Sequence, residues 1–239
     1  MNPEDILRTV AEQVSTCQRC TLHHTRKRSV PGEGRANAQV MLIGEGPGFH
    51  ENEQGRPFVG QAGKFLDELL QMAGLKREEV FIANVVKCRP PGNRDPEPDE
   101  LAACGEYLQQ QIDTINPRVI VTLGRFSMAR FFPNARISYL HGQSKWIGGR
   151  LVVAMYHPAA ALHNPALKTA ILTDFSRLPR IMEQAAKADQ ANLASMAPQQ
   201  PEPVPAVAEA RSLFDLPAIA SNETDSTPAS SAPTQLPLF

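Results

Sequence analysis

The sequence predicts an α/β protein: a parallel sheet with helices on both faces. Three observations carry this. Short apolar runs alternate with amphipathic stretches from about residue 3 to residue 184, the order that builds parallel sheets through helical crossovers. The runs are apolar at consecutive positions, as strands buried on both faces are. Polar, glycine- and proline-rich loops follow three of the runs, where open α/β sheets bind ligands.

In chain order, residues 3–15 read as a helix with Ile6, Leu7, Val10 and Val14 on one face. The basic stretch His23–Arg28 reads as a solvated loop or as a contact for backbone phosphates. Gln39–Ile43 is a buried strand, and GEGPG (44–48) is the loop at its end. The glycine spacing and the proline exclude a dinucleotide fingerprint; glycines here let backbone approach a flat ligand. GRPFVG (55–60) is a second loop, and Phe58 in it is either packing or a stacking platform. The helix over 61–73 follows, with Leu66, Leu69, Leu70 and Ala73 on its apolar face and Gly74 as its stop.

Val80–Val86 is the clearest strand, interrupted by Asn84. A buried asparagine needs hydrogen-bond partners, whether structural or the edge of a ligand. The proline-rich run 89–98 can be neither helix nor central strand and reads as an ordered loop. A helix follows over about 98–115, then a strand at Arg118–Leu123, a helix over about 126–132 and a strand at Leu151–Tyr156. His157-Pro-Ala-Ala-Ala-Leu162-His163 comes next, and a last helix over about 167–184. Loops 44–60, 84–94 and 157–164 are expected to meet at one sheet edge.

Composition divides the chain. Eight of its 21 prolines lie at or after Pro198, and from Ala188 onward it is rich in Pro, Ala, Ser and Gln. Such a segment buries too little apolar surface to offset its ordering entropy. The expected organisation is a folded domain over 1–186 and a disordered tail over 187–239. The tail from residue 188 holds six acids and one base; removing these from the chain's 25 acids and 24 bases leaves 19 acids and 23 bases in 1–187, a net of about +4. That balance permits contact with a polyanion. No apolar run approaches the roughly 20 residues of a membrane span, and no internal repeat is visible.

The four cysteines, Cys17, Cys20, Cys88 and Cys104, follow the pattern C-x2-C, 67 residues, C-x15-C. A tight pair with two further cysteines brought in by the fold suits four thiolates around one metal centre. The opening MNPEDILRTV is charged and amphipathic and does not read as a secretory segment. A reducing cytoplasm is therefore expected, where structural disulfides are rare. Spacing leaves zinc and an iron–sulfur cluster both open.

GEGPG, GRPFVGQAG, NVVKCRPPGNR and HPAAAL, in this order and with these cysteines, resemble the family 4 uracil-DNA glycosylases of the iron–sulfur type over about residues 5–185. The resemblance implies a three-layer αβα sandwich with a four-stranded parallel sheet, a [4Fe–4S] cluster on the four cysteines, uracil-containing DNA as substrate, and a monomer working at the nucleoid. It implies that Phe58 stacks on the flipped base, Asn84 reads its Watson–Crick edge and His157 bonds uracil O2. Gly46 stands where better-known uracil glycosylases carry a water-activating aspartate, leaving Glu45 and Asn93 as candidates to hold the water or stabilise the sugar cation. Glu51 lies where relatives crowd the base C5 position, though an exposed loop carboxylate is an equal reading. Leu162 resembles the apolar wedge that fills the gap left by the base. His163 departs from the family, where an arginine is common, so its grip on phosphate is expected to be weaker. The rival reading is a non-catalytic iron–sulfur module bound to nucleic acid and linked to a polymerase.

The chain ends in Gln235-Leu-Pro-Leu-Phe239. This resembles the peptide that docks on the bacterial sliding clamp: Leu236, Leu238 and Phe239 would fill an apolar pocket, with Gln235 bonding at its rim. Ser212-Leu-Phe-Asp-Leu216 is a weaker second candidate.

Overall fold

Each apolar run becomes a strand with side chains buried on both faces. The computed structural model describes residues 2–196. In chain order its elements are α1 (Pro3–Thr16), β1 (Glu33–Gly34), β2 (Val40–Gly44), α2 (Phe49–Gln54), α3 (Gln61–Met72), β3 (Phe81–Asn84), α4 (Pro98–Ile115), β4 (Val119–Leu123), α5 (Arg125–Ala129), α6 (Ile137–Leu140), β5 (Ser144–Ile147), β6 (Arg150–Met155), α7 (Ala159–His163), α8 (Ala166–Ser176) and α9 (Leu178–Met196). The sheet order is β1-β3-β2-β4-β6-β5.

The central strands β3, β2, β4 and β6 pair in parallel. This is the expected four-stranded parallel sheet, but it is the middle of a six-stranded mixed one. β1 and β5 pair antiparallel at its two edges. Neither edge was legible: β1 has two residues, and β5 exposes Ser144, Lys145 and Trp146, so no buried apolar run marks it.

The period-two alternation of the strands splits the core in two. Val40, Leu42, Ile82, Val121 and Val153 pack against Leu66 and Leu69 of α3, Phe175 of α8 and Ile181 of α9. Met41, Ile43, Ala83, Ile120 and Val152 face Leu108 and Ile112 of α4, with Leu7 of α1 against their cluster. The result is three layers, αβα. Leu66 is fully buried in the first core, so Leu66→Ala removes about 2–5 kcal/mol by transfer and cavity terms.

The single helix expected over 167–184 is two, α8 and α9. The apolar positions Ile171, Phe175, Leu178, Ile181 and Ala185 run through the junction at helical spacing, which hides it. Pro179 marks it: with no N–H to donate, it sits in the first turn of α9. Among the side chains described, Ala185 is the last that is buried, although the helix continues to Met196. The clamp-like residues Gln235, Leu236, Leu238 and Phe239 lie outside the described residues.

Candidate active site

The carboxyl ends of the central strands build one floor. Gly44, the last residue of β2, is paired in register with Asn84, the last of β3. Gly124 follows β4 and bonds through its N–H to the carbonyl of Met155 at the end of β6. His157 stands two residues further on. Glycine at 44 is dictated by contact: a Cβ there would lie 2.4 Å from Asn84 Oδ1 and 2.7 Å from Phe58 Cζ. Gly124 has φ +91, and a Cβ on it would meet His157 Cβ at 3.2 Å. These absent side chains let Asn84, Phe58 and His157 converge.

Phe58 is buried and holds a left-handed backbone, φ 51. That conformation is costly for a bulky residue and persists only where the surroundings impose it. Two constraints do so. Arg77, itself paired with Asp67, donates to the carbonyls of Pro57 and Phe58. Glu51, on α2, accepts the N–H groups of Val59 at 2.9 Å and Gly60 at 3.0 Å, and through its other oxygen that of Gly48 at 3.1 Å. Its carboxylate therefore ties the GEGPG loop to the Phe58 loop. The Phe58 ring faces the His157 imidazole, with centroids 5.3 Å apart and planes 26° apart.

The chemical state of His157 follows from its contacts. The N–H of Ala159 donates to Nδ1 at 3.1 Å, so Nδ1 is an acceptor and the ring proton sits on Nε2. Burial pushes the imidazole pKa down to about 4, while the Glu51 charge pulls weakly upward. The ring keeps some solvent exposure. The downward direction still holds, because protonating Nδ1 would turn two donors against each other. His157 is a neutral Nε2–H donor.

Asn84 is 2 % exposed, and its Oδ1 has no hydrogen-bond partner among the described residues. A buried amide oxygen without a partner costs about 1–3 kcal/mol, which marks a place where a ligand donor belongs. Glu45 follows β2, and burial first, then the charge of Asp95, raises its carboxyl above the ordinary range; Arg125 opposes this. It lines a cleft of about 90 Å³ with Gly46, Pro47, Pro90, Asn93 and Arg94. Gly46 packs close to Val86, whose Cγ2 would be 2.8 Å from a Cβ there. Asn93 is exposed and accepts from Arg89 Nε at 2.8 Å. Leu162 and His163 are both exposed on α7, directly after the His157 segment.

The cysteines gather at a different corner. Cys88 and Cys104 are buried with Leu22 and Val86, and Cys20 packs against them. Cys17 packs against Val10, Val14 and Tyr107, where α1 meets α4. Donors reach the sulfurs, among them Arg26 Nη1 to Cys88 and the N–H of Lys87 to Cys104, each at 3.4 Å. Arg26 also bonds the carbonyls of Cys17 and Ser15, and Lys27 pairs with Glu53. Those two members of the basic stretch thus face inward or toward an acid. Among the described residues, no three His, Cys, Asp or Glu side chains are grouped to hold a metal ion. Four cysteines with N–H···S donors are a donor set that zinc and iron–sulfur centres share.

Sequence reasoning missed Arg77, the Ala159 N–H and Lys87 as shapers of this region, while Gly44 was read only as part of a loop open to a ligand. Lys87 alone had a visible signal, a lysine between Val85-Val86 and Cys88. The others act through three-dimensional contact.

Comparison with known proteins places the chain in one family. The family model described as the uracil DNA glycosylase superfamily matches residues 31–176. A type-4 uracil-DNA glycosylase of Sulfurisphaera tokodaii is 46% identical over 184 residues, covering 73% of this chain and 84% of its own. That of Saccharolobus solfataricus is 47% identical, with 73% and 85% covered. That of Thermotoga maritima is 43% identical over 179 residues, with 73% and 93% covered.

Proposed function

The chain belongs to the uracil DNA glycosylase superfamily, beside its type-4 members, and from that premise we propose that it excises uracil from DNA by the residues gathered at the carboxyl edge of its sheet. The reaction is hydrolysis of the bond between C1′ and N1, leaving an abasic site and starting base excision repair. The observation that carries the assignment of roles is the convergence of Phe58, an unpartnered Asn84 Oδ1 and a neutral His157.

A base stacked in a duplex is out of reach, so the nucleotide is flipped out at a cost of a few kcal/mol. Leu162 fills the gap and His163 meets phosphate. Phe58 takes the face of the base. Asn84 Oδ1 accepts from uracil N3–H, and its Nδ2 donates to O4. Cytosine has no proton at N3 and a donor at C4, so both bonds fail, at about 1–3 kcal/mol per unpaired group.

As the bond breaks, negative charge grows on uracil O2 while the sugar becomes cationic. The Nε2–H of His157 points a donor at that charge, a contribution of the oxyanion-hole kind worth about 10²–10³ in rate. Glu45 stabilises the sugar cation or orients the water, and Asn93 is the second water-positioning group. Near-wild-type single-turnover rates for both Glu45→Gln and Asn93→Ala would remove them from the mechanism. Glu51 crowds the C5 side through the loops it ties together.

Cys17, Cys20, Cys88 and Cys104 would hold the [4Fe–4S] cluster, which when bound supplies a structural link between the N-terminal helix, the proline-rich loop and the sheet. The glycosylase domain is assigned to residues 1–186, with α9 continuing to Met196, and the last five residues of the chain dock on the sliding clamp. The test of the whole is a uracil-containing oligonucleotide treated with purified protein and then alkali. Cleavage at uracil that Asn84→Ala reduces supports the proposal; no cleavage by the intact chain refutes it.

A further inference from the structure

Lys87 is 1 % exposed, among the most deeply buried side chains of the described residues. Burying an ammonium group costs several kcal/mol unless its donors find acceptors. Here Nζ donates to the backbone carbonyl of Asn84 at 3.0 Å and to Gln111 Oε1 at 2.6 Å. Gln111, 2 % exposed, passes its own amide N–H to the carbonyl of Pro31 at 2.7 Å. The main chain of Lys87 is held as firmly. Its N–H donates to Cys104 Sγ, and its carbonyl accepts from Val30 N–H at 2.7 Å.

These bonds close a ring on the residue that reads the base. β3 ends at Asn84, and the chain bends over the next four residues. The Lys87 side chain reaches back three residues and fixes the carbonyl at that bend. Among the described residues Asn84 Oδ1 has no partner to orient it, so its direction depends on its backbone and on the close pass of Gly44. We propose that Lys87, braced by Gln111, is a positioning residue that aims the Asn84 amide at the uracil edge. The inference rests on the base-reading role proposed for Asn84.

The test uses the full-length, cluster-loaded chain. Lys87→Met and Gln111→Met are each made alone and in an Asn84→Ala background. Single-turnover excision and inhibition by free uracil are measured, with absorbance near 400 nm as the check on the cluster corner. The expected loss for Lys87→Met is about 10²-fold, the scale of a 1 Å misplacement, with weaker inhibition by free uracil. Gln111→Met should show a smaller loss of the same kind. Neither change should slow the Asn84→Ala enzyme further, because their effect runs through the absent amide. An equal fold-loss in both backgrounds, or unchanged inhibition by free uracil, overturns the inference. If Lys87→Met does not fold, Gln111→Met decides by the same criteria. If Asn84→Ala alone excises like wild type, the base-reading role itself has failed.

Discussion

Acidification tests the neutral state of His157. A free imidazole titrates near 6.5; burial holds His157 at about 4, with Glu51 pulling weakly the other way. One pKa unit is about 1.4 kcal/mol, so this displacement corresponds to roughly 3 kcal/mol as an upper bound, less what solvent screening of the partly exposed ring removes. The sign follows from proton counting. Between pH 6.5 and 4 the unfolded chain carries a proton on residue 157 that the folded chain refuses. Stability therefore falls as pH drops through that window, and the contribution is complete above 6.5. Urea midpoints of wild type and His157→Asn, compared from pH 7.5 to pH 4.5, should show the steeper decline in wild type. Nitrogen-15 histidine spectra should place the proton on Nε2, with Nδ1 bare at pH 6. A His157 resonance titrating near 6.5, or a proton on Nδ1 at neutral pH, would refute the argument.

Gly44→Ala should leave the fold intact but slow excision about 10²-fold, because its Cβ falls 2.4 Å from Asn84 Oδ1 and 2.7 Å from Phe58 Cζ; circular dichroism beside single-turnover kinetics separates the two effects. The raised carboxyl of Glu45 should give the rate profile an acid limb above pH 4.5. That limb should vanish in Glu45→Gln, and its persistence would assign it to another group. If the four cysteines hold the proposed cluster, Cys88→Ser should lose the 400 nm absorbance and the fold together; a stable, active, colourless variant contradicts that proposal. Deleting 235–239 should abolish co-elution with a sliding clamp at unchanged excision, and retained co-elution would exclude that peptide as the contact.

The legible part of the fold was the part written as burial. The strands at Val40–Gly44, Val119–Leu123 and Arg150–Met155 carry continuous apolar runs, and such runs have one cheap destination, a sheet covered on both faces. The edge strands carry none, since β5 turns Lys145 and Trp146 to solvent. Within the site, the residues that would touch the base were legible as motifs, because each chemical need restricts the side chain. Their supports were not. Arg77 acts from 19 residues beyond Phe58 on that residue's carbonyl, and the Ala159 N–H belongs to every non-proline residue. The basic stretch misleads for the opposite reason: charge is visible in sequence, but its direction is not, and Arg26 turns inward to Cys88.

The arrangement of charge explains how the site proposed to receive an anionic leaving group can tolerate carboxylates around it. An ionised Glu51 aimed into the pocket would oppose the charge growing on uracil. Instead, its two oxygens accept three backbone N–H groups, which spread its charge into the loops and set their separation. His157 sits within reach of that field, and yet burial keeps it neutral. A neutral donor needs no counter-ion before the base arrives and no reorganisation as the charge develops. A protonated His157 would instead pair with Glu51 and draw it away from Val59 and Gly60, loosening the loop that holds Phe58. The His157 tautomer, the loop geometry and the Phe58 ring are thus coupled, with Glu51 at the joint between them. The same coupling predicts that Glu51→Ala disturbs Phe58 before it alters any contact to the base.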